Sequence, residues 1–380
     1  MIYFSGQNSK LAMARLLCIF LPKIFSRIKR KNTRTMSKRN WQDLPPELLF
    51  LISQKLTDLC YFIRFRAVCK TWRSSVPLSD QPPQIPWLVE YNESLMLGTC
   101  LKEKLRFHCL ASPKNKTGSV PIKESHRGKK YLGPGNGYLL VRDGHELYLF
   151  NPLTNNTIFV PPLPFSRRFF WPVFSCSDPM NWHLVLNQFG NWYCGIYQPD
   201  KMQWKYVESD FVCTCFWNGM LFTASISGCT QAFDATSGKK LYEIPPPNNE
   251  DPSLTLNGTY LVESCGLILR VCLVFHAGFA GTPIFHIYRL NFERGKVKSC
   301  WVEVKNMGDQ ILFLDSMNVF SVTAPAGFKA NCIYFMSVSA WNTRDLDWYN
   351  TLWRYDIATG KVEHVPCPFE RFMWFIPKLC

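Results

Sequence analysis

Acidic residues are absent from the first 42 positions of this 380-residue chain, where ten lysines and arginines stand. That absence locates the charge. Removing those ten from the formal net of +15 leaves only +5 on the other 338 residues. A body so nearly balanced, with no arginine–aromatic stripe, argues against nucleic-acid binding. Long apolar runs are missing as well. Residues 11–25 are interrupted by Arg15 and Lys23, and the stretch is too short and too charged for a membrane span. No small-residue cleavage site follows, which argues against a secretory signal.

Other absences exclude chemistry. The sixteen cysteines include no Cys-x-x-Cys, and Cys213-Thr214-Cys215 is the nearest pair, so zinc-ligand spacing is missing. Cys194, Cys213, Cys215, Cys272 and Cys332 lie in apolar runs and read as small buried hydrophobes, reduced in cytosol or nucleus. There is no GxGxxG, no GxxxxGK[ST], no GxSxG and no HExxH. The glycines of Gly133-Pro-Gly135-Asn-Gly137 read as a turn into a strand. Seven histidines are scattered, and His276 and His286 have no acid or cysteine at ligand spacing. The expectation is a protein without catalysis, cofactor or metal.

What is present begins at residue 41. Leu48, Leu49, Ile52 and Leu56 recur at helical spacing after Pro45 and Pro46, which suit a first helical turn. Asp43 and Asp58 are placed to cap two helices. Phe65, Val68, Cys69 and Trp72 give a third apolar stripe, expected on a third helix. Trp41, then Leu44-Pro45-x-Glu47-Leu48-Leu49, Ile52, and Phe65-Arg66-x-Val68-Cys69-Lys70-x-Trp72-Arg73 closely resemble the F-box. The resemblance implies docking on a Skp-type adaptor, and through it a cullin, by way of Leu44, Pro45, Leu48, Leu49, Ile52, Phe65, Val68 and Trp72. Met36, five residues before Trp41, stands where chains that open on an F-box begin. Residues 1–40 then read as a basic, disordered extension. Mitochondrial or plastid targeting by residues 1–35, or a basic nuclear-import or membrane-surface segment, are the alternatives.

The body repeats a unit, which bears on fold before any single motif does. Asn136-Gly-Tyr-Leu-Leu-Val141 leads to Leu147–Asn151 and Pro161-Pro162. Asn218-Gly-Met-Leu-Phe222 leads to Ala232-Phe-Asp234 and Pro245–Pro247. Asn331-Cys-Ile-Tyr-Phe335 leads to Leu352–Asp356 and Pro366. Weaker copies turn near Gln198, followed by Trp204, and near Asn291, followed by Trp301. Spacings of 47, 36, 57 and 65 residues between these turns suit irregular four-stranded propeller blades. A further blade is expected from residues 88–110, giving six or seven. A pair of β-sandwiches is the alternative.

Gly308-Asp-Gln-Ile-Leu-Phe-Leu314, Ser321-Val322 and Asn331–Phe335 resemble the plant F-box group that carries a KIB-type β-propeller. The paired acids usual after Ile-Tyr-Phe in that group are replaced here by Met336-Ser337. The expected organisation is an F-box at 41–80 and a propeller at 88–380, mainly β with a short α-helical N-terminal part. The resemblance implies a substrate-recognition subunit of a cullin ubiquitin ligase, in cytoplasm or nucleus, holding an unidentified protein substrate. A regulatory or organelle-targeted propeller that binds a partner without promoting its degradation is the alternative. Loops over a rigid scaffold carry binding, and aromatics mixed with arginine mark interface hot spots. Arg167, Arg168, Phe169, Phe170 and Trp171 are the substrate-binding candidates on that ground.

Overall fold

The structure is a computed structural model. It describes residues 44–56, 59–82, 84–91, 99–110, 117–161, 170–175, 183–188, 193–208, 211–225, 228–247, 254–276, 282–293, 296–315, 318–339 and 349–379. The chain divides after Pro82 into two compact units.

The first unit holds α1 (Pro46–Ser53), α2 (Leu59–Arg66) and α3 (Lys70–Ser74). Pro45 forms the N-cap of α1 without a side-chain bond, and Pro46 opens the helix where a missing N–H costs nothing. Asp43 and Asp58, the expected caps, lie outside the described residues. The third stripe is divided differently from the expectation. Phe65 belongs to α2, and Val68 N–H bonds back to the Phe65 carbonyl at 3.2 Å, tightening the helix end. Cys69 is extended (φ −160°, ψ 176°), and α3 starts after it. The break brings the Phe65 and Trp72 rings to 4.6 Å.

The second unit is a six-bladed β-propeller, settling the blade number within the expected six or seven. Its strands run as follows: β1 (Trp87–Glu90), β2 (Thr99–Cys100), β3 (Lys104–Cys109), β4 (Thr117–Pro121), β5 (Lys130–Gly135), β6 (Tyr138–Asp143), β7 (Glu146–Phe150) and β8 (Thr157–Val160). Then come β9 (Phe170–Ser175), β10 (His183–Gln188), β11 (Tyr193–Gln198), β12 (Gln203–Glu208), β13 (Phe211–Trp217), β14 (Met220–Ser225), β15 (Thr230–Asp234) and β16 (Lys240–Ile244). The last ten are β17 (Leu254–Ser264), β18 (Leu267–His276), β19 (Ile284–Glu293), β20 (Lys296–Glu303), β21 (Gln310–Leu314), β22 (Val319–Thr323), β23 (Cys332–Ser339), β24 (Tyr349–Asp356), β25 (Val362–His364) and β26 (Phe372–Phe375).

Blades three, four and five are plain meanders of four strands: β9–β12, β13–β16 and β17–β20. Blade two adds β2 beside β5, and blade six has the order β22-β21-β23-β24-β25, with β21 and β23 parallel. Both have five strands where four were expected. Blade one is closed by the end of the chain: β26 pairs with β1, Trp87 opposite Phe375 and Leu88 opposite Trp374.

Local chemistry explains the repeats. Asn136-Gly137 (φ 43° and 91°) and Asn218-Gly219 (φ 47° and 75°) form two-residue turns that need positive φ at both positions. They join β5 to β6 in blade two and β13 to β14 in blade four. The turns into the last strand of blades two, four and six share another device. The Asp234 carboxylate accepts from the N–H groups of Thr236 and Ser237 at 3.1 and 2.6 Å, Asn151 accepts from Leu153 and Thr154, and Asp356 accepts from Thr359. In each, the residue's own carbonyl accepts an N–H four residues on, at 2.8 Å.

Each blade alone would expose an apolar face, and the core is built where faces meet. Leu140, Leu149, Leu184 and Leu186 join blades two and three, and Val185, Ile196, Leu221 and Phe233 join three and four. Phe222, Ile244, Leu261 and Leu290 join four and five, Val271, Ile287, Leu312 and Ile333 join five and six, and Leu88, Ile311, Phe313 and Trp374 join six and one. The Trp and Pro residues of the repeats meet across these seams: Trp204 Nε1 donates to the Pro161 carbonyl and Trp301 Nε1 to that of Pro245, both at 3.0 Å.

One core position is poorly matched. His108 on β3 is 1% exposed, and neither ring nitrogen has a partner among the described residues. Burial lowers its pKa below the usual 6.5. The unfolded chain therefore takes up the proton first, and stability present above about pH 6.5 shrinks as pH falls below it. His108→Phe is expected to stabilise the fold by about 1 kcal/mol and to flatten that acid limb, because an unpaired buried polar group costs about 1–3 kcal/mol. Urea unfolding at pH 7.5 and 5.5 measures both effects.

Candidate functional site

In the first unit, α1 divides its apolar residues between two faces. Leu49 is buried, whereas Leu48, Phe50 and Leu51 are 47%, 41% and 59% exposed. Pro45 is exposed, and Leu44, Ile52 and Val68 are half-buried. Leu49, Phe65 and Trp72 are buried with Leu56, Leu59, Phe62 and Val76, so they act as packing rather than as surface. Of the eight residues expected to meet an adaptor, Leu44, Pro45, Leu48, Ile52 and Val68 thus offer surface. Phe50 and Leu51 were missed, because apolar spacing alone does not say which side of a short helix faces outward. Two arginines tie α2 to α3. Arg66 and Arg73 each donate to the other's main-chain carbonyl, at 3.1 and 3.4 Å. Burial and the neighbouring Arg73 lower the Arg66 pKa.

In the propeller, Arg167, Arg168 and Phe169 lie outside the described residues. Phe170 and Trp171 are not in a loop: they open β9, opposite Gln188 and Asn187.

No group of three or more His, Cys, Asp or Glu is placed to hold a metal ion among the described residues. The cysteines described are all free, and burial pushes the Cys213 thiol up to about 12 and raises Cys215 as well, which keeps both protonated and unreactive. Cys215, Cys272 and Cys332 are buried as expected, Cys213 is only half-buried by its surface exposure, and the Cys194 side chain lies outside the described residues. His286 meets Glu303 at 3.8 Å. A polar chain crosses from the blade-one linker to blade two: His126 Nδ1 to the Tyr148 hydroxyl at 3.1 Å, and Lys129 to Asp143 at 2.7 Å. The Asp143 contact raises the Lys129 pKa, burial raises that of Tyr148, and burial with Lys129 and Lys123 lowers that of His126. These groups tie the linker down.

Asp356 shows what such polar groups do. Lys329 pairs with its carboxylate, which also accepts the Thr359 N–H at 3.0 Å, holding its pKa down at about 2. Its contribution is therefore present above about pH 4 and is lost as pH falls toward 2. Asp356→Ala is expected to cost about 1–2 kcal/mol at pH 7, with the difference from the parent vanishing near pH 2. Thermal unfolding across that range checks it.

No helix among the described residues is long and apolar enough to cross a membrane. Residues 107–357 match the model of the KIB1-4 beta-propeller, and residues 41–79 match that of the F-box domain. Relatives from Arabidopsis thaliana carry the F-box in their names. The F-box/kelch-repeat protein At1g57790 is 25% identical over 80% of this chain and 85% of its own length. The F-box/kelch-repeat protein At1g64840 is 22% identical over 85% of this chain and 89% of its own. The F-box protein At3g56470 is 22% identical over 77% and 81%.

Proposed function

Because this chain belongs to the KIB1-4 beta-propeller family and carries an F-box domain, we propose that it is the substrate-recognition adaptor of a Skp- and cullin-based ubiquitin ligase. The observation that carries the reading is the apolar face of α1. Leu48 and Leu51, three residues apart and so on one side of an eight-residue helix that opens at Pro46, stand exposed, and Phe50 is exposed as well. Such a face is laid into an apolar groove of a partner, whose contact supplies affinity through buried area. The propeller supplies the second half, a rigid scaffold with loops at its rims. Catalysis then belongs to the complex: a lysine of the bound target is held near the ubiquitin-loaded enzyme, and proximity lowers the barrier.

The test is capture from plant extract with the intact chain as bait, probed for the Skp-type adaptor and a cullin. Recovery of both supports the ligase reading. Recovery of neither overturns it and leaves a propeller that binds its partner outside any ligase.

A further inference from the structure

We propose that the edge shared by blades one and two is a docking surface for an acidic segment of a partner protein. The inference rests on the reading above, in which the propeller is the recruiting half.

The charge of the propeller is gathered in one place. Residues 102–130 hold nine lysines and arginines and two glutamates, a net of +7, while the rest of residues 43–380 sums to −2. The fold folds this segment back on itself. Lys104 stands opposite Pro121 across β3 and β4. Ile122 N–H donates to the Glu103 carbonyl, Gly128 N–H to that of Leu101, and Leu101 N–H to that of Lys129, each at 2.8 Å. Arg127 Nε donates to the Ile122 carbonyl at 3.2 Å. Residues 101–104 and 121–129 therefore lie side by side. Lys102, Lys104, Lys123 and Arg127 are all exposed on them. Of the nearby acids, Glu90 and Asp143 are taken by Arg106 and Lys129, at 2.8 and 2.7 Å, while Glu103 and Glu124 stand exposed among the more numerous cations.

A like-charged pair stands beside this surface. Lys130 and Arg142 stand directly opposite one another on β5 and β6, both half-buried. Like charges in that position are destabilising, and an acidic occupant relieves them.

The surface favours peptide carboxylates over other anions. Single-stranded nucleic acid is held by exposed aromatics interleaved with cations. Here Phe107 and Tyr131 are buried, and the His126 ring packs on Phe150 at 4.1 Å. A bilayer surface is held by several exposed apolar side chains beside the cations, and among the described residues of blades one and two Phe159 is the single large apolar side chain that stands exposed.

The experiment uses the full chain and a fluorescein-labelled deca-glutamate peptide, read by anisotropy. Lys102→Glu/Lys123→Glu/Arg127→Glu is compared with Lys201→Glu/Lys239→Glu/Lys305→Glu, which changes the net charge equally at other exposed sites. The first variant is expected to weaken binding about tenfold or more at low salt, and the second less than twofold, since complementary charge acts locally within a Debye length of about 10 Å. A Lys102→Gln/Lys123→Gln/Arg127→Gln variant, milder for folding, is expected to lose several-fold. Equal losses in both glutamate variants would assign the binding to bulk charge, including the basic N-terminal stretch, and overturn the proposal. Tighter binding of a ten-base oligothymidine, lost in the first variant, would overturn it in favour of nucleic acid. Capture of the Skp-type adaptor is expected to be unchanged in every variant, so failure of this surface and failure of the ligase reading are told apart.

Discussion

Trp374→Ala is expected to cost about 3–5 kcal/mol of stability, the range for removing a large aromatic from a packed core. The residue is fully buried on β26. Its ring meets that of Phe313 on blade six at 5.0 Å, edge to face, and its Nε1 donates to the Leu314 carbonyl at 3.3 Å. Its main-chain N–H donates to the Asp315 carboxylate at 3.2 Å. It also stands opposite Leu88 on β1, so one side chain fastens the last strand to blade six while that strand pairs with blade one. The loss would be a large share of the roughly 5–15 kcal/mol that holds a domain together. Trp374→Phe keeps the ring contact and drops the indole bond, and it is expected to lose less than half as much. Urea unfolding of the three proteins reads the difference. A loss below about 1 kcal/mol for the alanine variant would show that the ring does not depend on this closure.

That closure was not legible in the sequence, and the reason is physical. The Asn-Gly turns and the Asp or Asn turns are local: a few residues decide positive φ and a side-chain bond to nearby N–H groups, so their positions stand out along the chain. The pairing of β26 with β1 joins the two ends of the propeller, and neither strand carries a mark of its partner. Blade six is similar. Gln310–Leu314 and Cys332–Ser339 both read as strands, but their parallel pairing is set by the packing of neighbours. The turn at Cys265-Gly266 (φ 50° and 77°) was hidden because cysteine is not the residue that favours that conformation. In the F-box the spacing of Leu48 and Leu49 placed both on one helix, while burial alone separates the outward Leu48 from the inward Leu49. The trade of Trp204 and Trp301 bonds with the prolines ending the previous blade was visible only as two separate recurrences.

The account turns on the outward face of α1, and Leu48→Asp/Leu51→Asp is expected to abolish its use while leaving the fold intact. The two side chains are 47% and 59% exposed, so little native packing is lost. Full burial of a leucine stabilises by about 1.5–3 kcal/mol, and these two have roughly half of that still to gain in a complex. Placing an unpaired carboxylate in an apolar groove adds a further penalty of about 1–3 kcal/mol for each group. Together these predict a loss of about a thousandfold or more in affinity. Leu49→Ala at the buried neighbour separates fold from contact: it is expected to cost about 2–5 kcal/mol of stability and to weaken binding only through unfolding.

The most direct measurement is calorimetric titration of a purified Skp-type adaptor into the intact chain and into the Leu48→Asp/Leu51→Asp variant. Tight binding by the first and no measurable heat from an equally folded second is the result this account predicts. Equal affinity for both, or no binding by the intact chain, would contradict it.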